Sequence, residues 1–308
     1  MRKTPAEKSI MNLKRFAPPA AKKLWRRLRE RPAPPAPTAE SLRAAAAKRS
    51  RHIVRTLDGL PDAPGALNPN LIFDIGMHVG QDSDYYLRKG FDVVAVEANP
   101  MLAAAGEKRF ARQLRERQLT LLNIGVGETR GQAEFHVNLE LSEWSSFKPA
   151  TASRGMPTAA VSVEMATIAD IVRKFGVPYY LKIDIEGLDG AAVRGLSACP
   201  VKPRYVSFEN GDPPLFELLV GFGYTGFKFI NQADVPAQAC PAPAREGRTI
   251  AHAFPYGASG AFGDDAPGEW LPVEAMREIV GGHAAARAKG DYDAVKQGWF
   301  DLHAKLGA

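Results

Sequence analysis

The chain has 308 residues, 45% of them hydrophobic and 24% charged, an ordinary globular composition and enough length to bury a full core. Two cysteines, Cys199 and Cys240, are too few for a disulfide scaffold and lie in no metal-ligand spacing, which fits a reducing compartment. No apolar run approaches the ~18–20 residues that span a bilayer, and no signal-peptide core follows Met1. The net charge of +6 is uneven: 16 Lys and Arg stand against 4 Asp and Glu in residues 1–60, and 24 against 30 in the rest. The basic balance therefore belongs to the tail, and the general charge argument for nucleic-acid binding fails.

Residues 1–40 are basic and then proline-rich. Lys22-Lys23-Leu24-Trp25-Arg26-Arg27-Leu28-Arg29 has the pattern of a short basic amphipathic helix, and Arg31–Pro37 reads as an extended linker. One reading has residues 1–31 resting weakly on an anionic membrane surface through Trp25. The favoured reading is an extension without that role, and a transit peptide is a lesser alternative. Residues 41–69 form a helical lead-in. Glu40–Leu57 has helix-forming composition with Ser41 as a cap candidate, and Pro61–Pro69 is turn-rich.

Leu71–Pro100 is the most informative stretch. An apolar run ends at Asp74-Ile75-Gly76, Gly80 closes a turn, Asp82–Lys89 has helical length, and Phe91–Val96 is a second strand with Glu97 at its tip. This is a βαβ unit with a nucleotide-type site at its strand ends. The Asp74–Gly80 pattern is D-x-G-x-x-x-G, with His at position 78, so neither the dinucleotide fingerprint nor a P-loop is present. A loop without pyrophosphate-cradling glycines suits a nucleoside lacking phosphates. S-adenosylmethionine fits, its amino-acid end at the Asp74, Gly76, His78 and Gly80 loop and its ribose diol on Glu97.

Further along, Pro100–Gln118 reads as one long helix and Leu119–Ile124 as the third strand. Ala133–Asn138 and Val161–Met165 alternate and read as strands, the first of them an added, antiparallel one. Thr167–Phe175 and Gly190–Leu196 read as helices and Tyr179–Ile183 and Arg204–Phe208 as strands. Pro213–Val220 is a helix, Tyr224–Ile230 a late strand. Alternating strands and helices give an α/β, doubly wound sheet. Residues 231–308 are a loop-rich extension in which Gly257–Gly263 is read as a lid over a ligand, ending in a terminal helix, Asp291–Leu306.

Four stretches carry a resemblance: Phe73–Gly80, Val96-Glu97-Ala98-Asn99-Pro100, Leu181-Lys182-Ile183-Asp184-Ile185-Glu186-Gly187, and Tyr205–Glu209 followed by Gly223-Tyr224. Over residues 70–230 the chain resembles the FkbM-type S-adenosylmethionine-dependent methyltransferases, although that family's first loop more often reads Gly-Ala-Asn-Ile-Gly. The resemblance implies a class I methyltransferase fold, a Rossmann-like and mostly parallel seven-stranded sheet. It also implies O-methylation of a sugar, glycan or secondary-metabolite hydroxyl. The alternative is a non-catalytic scaffold of the same fold attached to a membrane or glycan-assembly complex through the basic tail.

Ligands bind outside the carboxyl ends of such strands, which collects Asp74, Glu97, Asn123, Asp184 and Glu209 at one rim. Asn123 is a candidate to border the adenine. Methyl transfer needs an aligned hydroxyl and a group to take its proton. Asp184 is the first candidate, Glu186 the second, and His78 a third. Trp144, Ser145 and Ser146 are candidates to line the acceptor pocket, with Glu209, and with His252 reaching in from the extension. The spacing of Asp184, Glu186 and Glu209 is no dedicated metal motif, and no metal is expected. The expected setting is bacterial and cytoplasmic, with the tail peripheral to the inner membrane surface in the first reading of residues 1–31.

Overall fold

A computed structural model describes residues 37–48, 50–209, 211–290 and 299–307. The basic helix and most of the proline-rich linker lie outside the described residues. The strands, in chain order, are β1 Ile53–Val54, β2 Leu67–Ile75, β3 Asp92–Val96, β4 Leu119–Leu122, β5 Gly125–Val126, β6 Gly131–Asn138, β7 Thr158–Ala166, β8 Val177–Ile183, β9 Tyr205–Glu209, β10 Tyr224–Asn231 and β11 Phe300–Leu306. Eight of them form one sheet in the order β1-β4-β3-β2-β8-β9-β11-β10, in which only β11 is antiparallel to its neighbours. Six of them answer to strands expected from the sequence; the other two are β11 and the two-residue β1, which pairs with β4 as an outer edge. The chain order reverses between β2 and β8, and a crevice opens at that switch point.

Alternation along the buried strands feeds two cores. Leu71, Phe73 and Ile75 face one side, with Leu181, Val206 and Leu302 and the helices α6 (Ile168–Phe175), α7 (Asp189–Gly195), α8 (Pro213–Gly221) and α9 (Val273–Lys289). Ile72, Val93 and Tyr180 face the other, with Tyr86 of α2 (Gln81–Arg88) and with Phe254 and Phe262. The remaining described α-helices are α1 (Ala39–Ala47), α3 (Pro100–Arg109), α4 (Ala111–Arg115) and α5 (Pro149–Ser153). The β5-β7-β6 sheet stands apart, and β6 pairs antiparallel with β7, as the alternation predicts.

Four expectations are corrected. The single helix Pro100–Gln118 is two, α3 and α4, broken at Phe110, whose ring is buried under Gly80. The lead-in helix stops at Ala47, and its expected remainder includes β1. The terminal helix is not found over 300–306. Those residues form β11, inserted between β9 and β10 with ladder bonds on both edges, and their apolar residues alternate with period two (Phe300, Leu302, Ala304, Leu306), a strand pattern rather than a helical one. The late helix is α9, inside the region read as loops, where Gly281-Gly282 hides a face carrying Met276, Val280 and His283.

The fourth concerns the lid. Ala258–Phe262 is buried against the second core rather than free, and Phe262 stacks on Tyr180 with ring centroids 4.6 Å apart. Lys89 on the α2 side pairs with Asp265 at 2.7 Å, with side chains 1% and 0% exposed. Removing one partner strands a buried charge, so Lys89→Met is expected to cost about 3–5 kcal/mol of stability in urea unfolding. An unchanged midpoint would show that the extension is held by packing alone.

Candidate active site

A cavity of about 930 Å³ opens at the carboxyl ends of β2, β3 and β8. Gly76 brings β2 to it in a left-handed turn (φ 93°), where an added Cβ would lie 1.7 Å from the Asp184 carbonyl oxygen. His78 follows at φ 52°. Asn, Asp and His tolerate that region better than other side chains, which explains a His where the resembled loops carry Asn. The His78 ring nitrogen Nε2 lies 2.8 Å from Ser142 Oγ, tying the loop to the opposite wall, and burial lowers its pKa.

Glu97 is the best-held acid in the cavity. Its Oε2 accepts the His78 backbone N–H at 2.7 Å and its Oε1 accepts the Asn99 N–H at 2.8 Å. Burial raises its pKa to about 7 against the pull of those two bonds. The residues that follow are local helix chemistry: Asn99 caps α3 through the Met101 N–H at 3.0 Å, and Pro100 takes the first helical position. Asn123 is buried and fixes this corner from behind. Its Nδ2 donates to the carbonyls of Glu97 (2.8 Å) and Ala98 (3.1 Å), and its Oδ1 accepts from Arg55. Ile124 and Val126, beside it in sequence, are the residues that line the cavity.

Asp74 is fully buried behind the loop rather than on the cavity wall. Its Oδ2 accepts from Ser83 Oγ at 2.6 Å and its Oδ1 faces Lys182 Nζ at 3.2 Å. Lys182 also meets Asp82 (3.3 Å), Asp184 (3.5 Å) and the Gly76 carbonyl (3.0 Å). Burial alone would lower its pKa, but the three carboxylates outweigh it and raise the ammonium well above the ordinary value. Asp82, which lines the cavity, is pushed by burial to about 6 despite Lys182, and it accepts the Ser259 N–H at 2.9 Å. Alternation along β8 thus turns Lys182 and Asp184 to one side, as expected, and the cation joins the glycine loop to the extension through Asp82.

On the far wall stand Trp144, Ser145, Glu186 and Glu209, with Asp184 at the end of β8. Burial, with Asp184, Asp301, Glu186 and Asp189 adding to it, raises Glu209 to about 9. Ser146 lies behind this wall, donating to the Glu186 carbonyl at 2.7 Å. Gly80 sits at the start of α2, outside the cavity. His252 is also outside, against Tyr85 and Arg88, and its proposed reach into the site is corrected. No group of three or more His, Cys, Asp or Glu among the described residues is placed to hold a metal ion.

Sequence reasoning did not single out Asp82, Ser142, Arg154, Tyr256 or Trp299, all of which line the cavity. Asp82 carried a signal, since the first turn of a helix after a glycine loop faces the ligand crevice. Arg154 and Trp299 carried none, for their places depend on long-range packing.

The methyltransferase FkbM from Methylobacillus flagellatus KT, solved at 2.20 Å, is 17% identical, with a TM-score of 0.33 over 56% of this chain and 40% of its own. This chain therefore spans well under half of that protein. No curated protein matches. The Methyltransferase FkbM domain matches residues 74–232, from the glycine loop to just past β10, and the chain therefore belongs to the FkbM methyltransferase family.

Proposed function

We propose that the chain transfers a methyl group from S-adenosylmethionine to a hydroxyl of a sugar, glycan or similar metabolite. The observation that carries this is Glu97, a buried carboxylate at the tip of β3 with one oxygen fixed by the His78 N–H and the other by the Asn99 N–H. Each oxygen keeps a lone pair for a ribose hydroxyl. The rest of the donor set fits the same group. Gly76 lets the amino-acid portion approach the backbone, Ile124 and Val126 offer an apolar wall for adenine, and the carboxylates suit an ammonium and a sulfonium. When bound, the group supplies a methyl on positively charged sulfur. The chain's part is to hold the acceptor in line and to take its proton. Trp144 and Ser145 suit a sugar face and its hydroxyls, while Asp184 and Glu186 are within the cavity as proton acceptors.

Incubating the protein with methyl-labelled S-adenosylmethionine and a panel of sugars, glycans and hydroxylated metabolites tests this. Label on an acceptor oxygen is expected; label found only on amines would overturn the O-methyl assignment. No described helix is long and apolar enough to cross a membrane, so the panel can be run on the protein in buffer with mild detergent as a control.

The Glu97 pKa of about 7 also sets a pH dependence. The diol needs the ionised carboxylate, so below pH 7 binding must first expel a proton. Affinity for S-adenosylhomocysteine is expected to fall by about tenfold per pH unit below that point and to level off above it. Calorimetry from pH 5.5 to 8.5 checks this (a range of about three pH units around that value). A flat profile would place the ribose elsewhere.

A further inference from the structure

Four non-glycine residues among those described have positive φ: His78, Arg117, Arg154 and Glu186. Three of them line the cavity, and two, Arg154 (φ 40°) and Glu186 (φ 38°), meet each other across it. L side chains persist in that conformation only where their surroundings over-determine it. Here the surroundings are specific. Arg154 Nη2 lies 2.6 Å from Glu186 Oε2, its Nε donates to the Thr151 carbonyl at 3.1 Å, and its guanidinium sits 4.6 Å from the centre of the Trp144 ring. Ser146 Oγ donates to the Glu186 carbonyl and holds that turn from behind.

We infer that Arg154 is a positioning residue of the methyl-transfer site: stacked on Trp144, it holds the Glu186 carboxylate in place in the cavity, and Glu186 receives the acceptor hydroxyl's proton. This rests on the methyltransferase reading above. In the step, the hydroxyl oxygen forms a bond to the methyl carbon as its proton passes to a Glu186 carboxylate oxygen. The S–C bond electrons remain on sulfur, leaving a neutral thioether, and Glu186 then returns the proton to water.

Two observations favour Glu186 over Asp184. The Asp184 carboxylate is drawn toward Lys182, which it shares with Asp74 and Asp82, and its side chain is 42% exposed. Glu186 is more enclosed, at 24%. The charged groups around Glu186 are Asp184 from the end of β8, Asp189 from α7, Glu209 from β9, Lys148 running past Gly187, and Arg154 from the turn after α5. Burial and the neighbouring acids push Glu186 up to about 7, and Arg154 opposes them. Without Arg154 the Glu186 carboxyl would be pushed further up and would hold its own proton over more of the neutral range. Guanidinium also suits the stacked, planar placement on Trp144 better than an ammonium does.

The test is carboxyl NMR of protein carrying [13C]glutamate, free and loaded with S-adenosylhomocysteine, with the Glu186 signal assigned by Glu186→Gln. In Arg154→Met the Glu186 midpoint is expected to rise by about one pH unit or more, and in Arg154→Lys, which keeps the charge but loses the planar stacking, by less. Trp144→Leu is expected to move it part of the way in the same direction. The pH profile of methyl transfer to the acceptor found by the labelling panel should move toward alkaline pH by the same amount as the carboxyl. An unmoved midpoint in Arg154→Met, or a midpoint that moves while the profile stays, overturns the inference. Failure of wild-type protein to bind S-adenosylhomocysteine is read separately and sinks the methyltransferase reading instead.

Discussion

Gly76→Ala is expected to be the most damaging single substitution in the chain. The added Cβ would stand 1.7 Å from the Asp184 carbonyl oxygen, 2.8 Å from its carbon and 3.2 Å from Ile185 Cγ2. Neither side can yield cheaply. The Asp184 N–H is bonded to the Ile75 carbonyl at 2.8 Å, and the Gly76 carbonyl is held by Lys182 at 3.0 Å. The left-handed φ adds its own penalty. The loss should exceed about 4 kcal/mol, a large part of the 5–15 kcal/mol that typically stabilises a folded protein. Gly155→Ala is the control, since Gly155 also has positive φ (84°) but open space where the Cβ would go. Its cost should be about 1–2 kcal/mol from backbone conformation alone. Urea unfolding of both variants decides this, and similar midpoints for the two would show that the β2–β8 junction is looser than described.

The second large effect is on binding. Glu97→Ala removes both acceptors offered to the ribose and also releases the His78 and Asn99 N–H groups. Hydrogen bonds to a charged group contribute about 1.5–3 kcal/mol each. Loss of two therefore predicts a fall in affinity for S-adenosylhomocysteine of at least about a hundredfold. Glu97→Gln keeps the shape but turns one acceptor into a donor, so it should lose about one of those bonds and show no titration near pH 7. Wild-type affinity in Glu97→Ala would remove Glu97 from the site.

How far the sequence could be read follows from which signals are local. The β2–α2–β3 unit was legible because apolar alternation, the glycine turn and an acid at a strand tip all lie within thirty residues, and each has a local cause. Glu97 and His78 follow from that unit and line the cavity, and Asp184 and Glu186, which line it too, follow from their place at the carboxyl end of β8. Asp74 and Asn123 were read as ligand-facing because they sit at strand ends. The structure turns them inward, where Lys182 and the Glu97 carbonyl claim their polar atoms. Strand-end position specifies the rim, but only the completed packing specifies which rim groups remain open. The carboxyl-terminal region was least legible. β11 does carry a strand's alternation, with Phe300, Leu302, Ala304 and Leu306 on one side and Asp301, His303 and Lys305 on the other, and a single helix over Asp291–Leu306 passes over that signal. What its sequence does not say is where it pairs: β9 and β10, the strands on its two edges, end 91 and 69 residues before it begins (300 − 209 and 300 − 231). The glycine-rich segment before it looked like a lid for the same reason, since the aromatic partners that bury Phe262 are Tyr86, Phe91 and Tyr180.

The most direct test of the central claim is calorimetric titration of the wild-type protein with S-adenosylhomocysteine at pH 8, above the Glu97 midpoint. Saturable binding at one site per chain, lost in Glu97→Ala protein that still unfolds cooperatively, is the predicted result. No binding to well-folded wild-type protein would contradict the account and leave a methyltransferase fold retained without its cofactor.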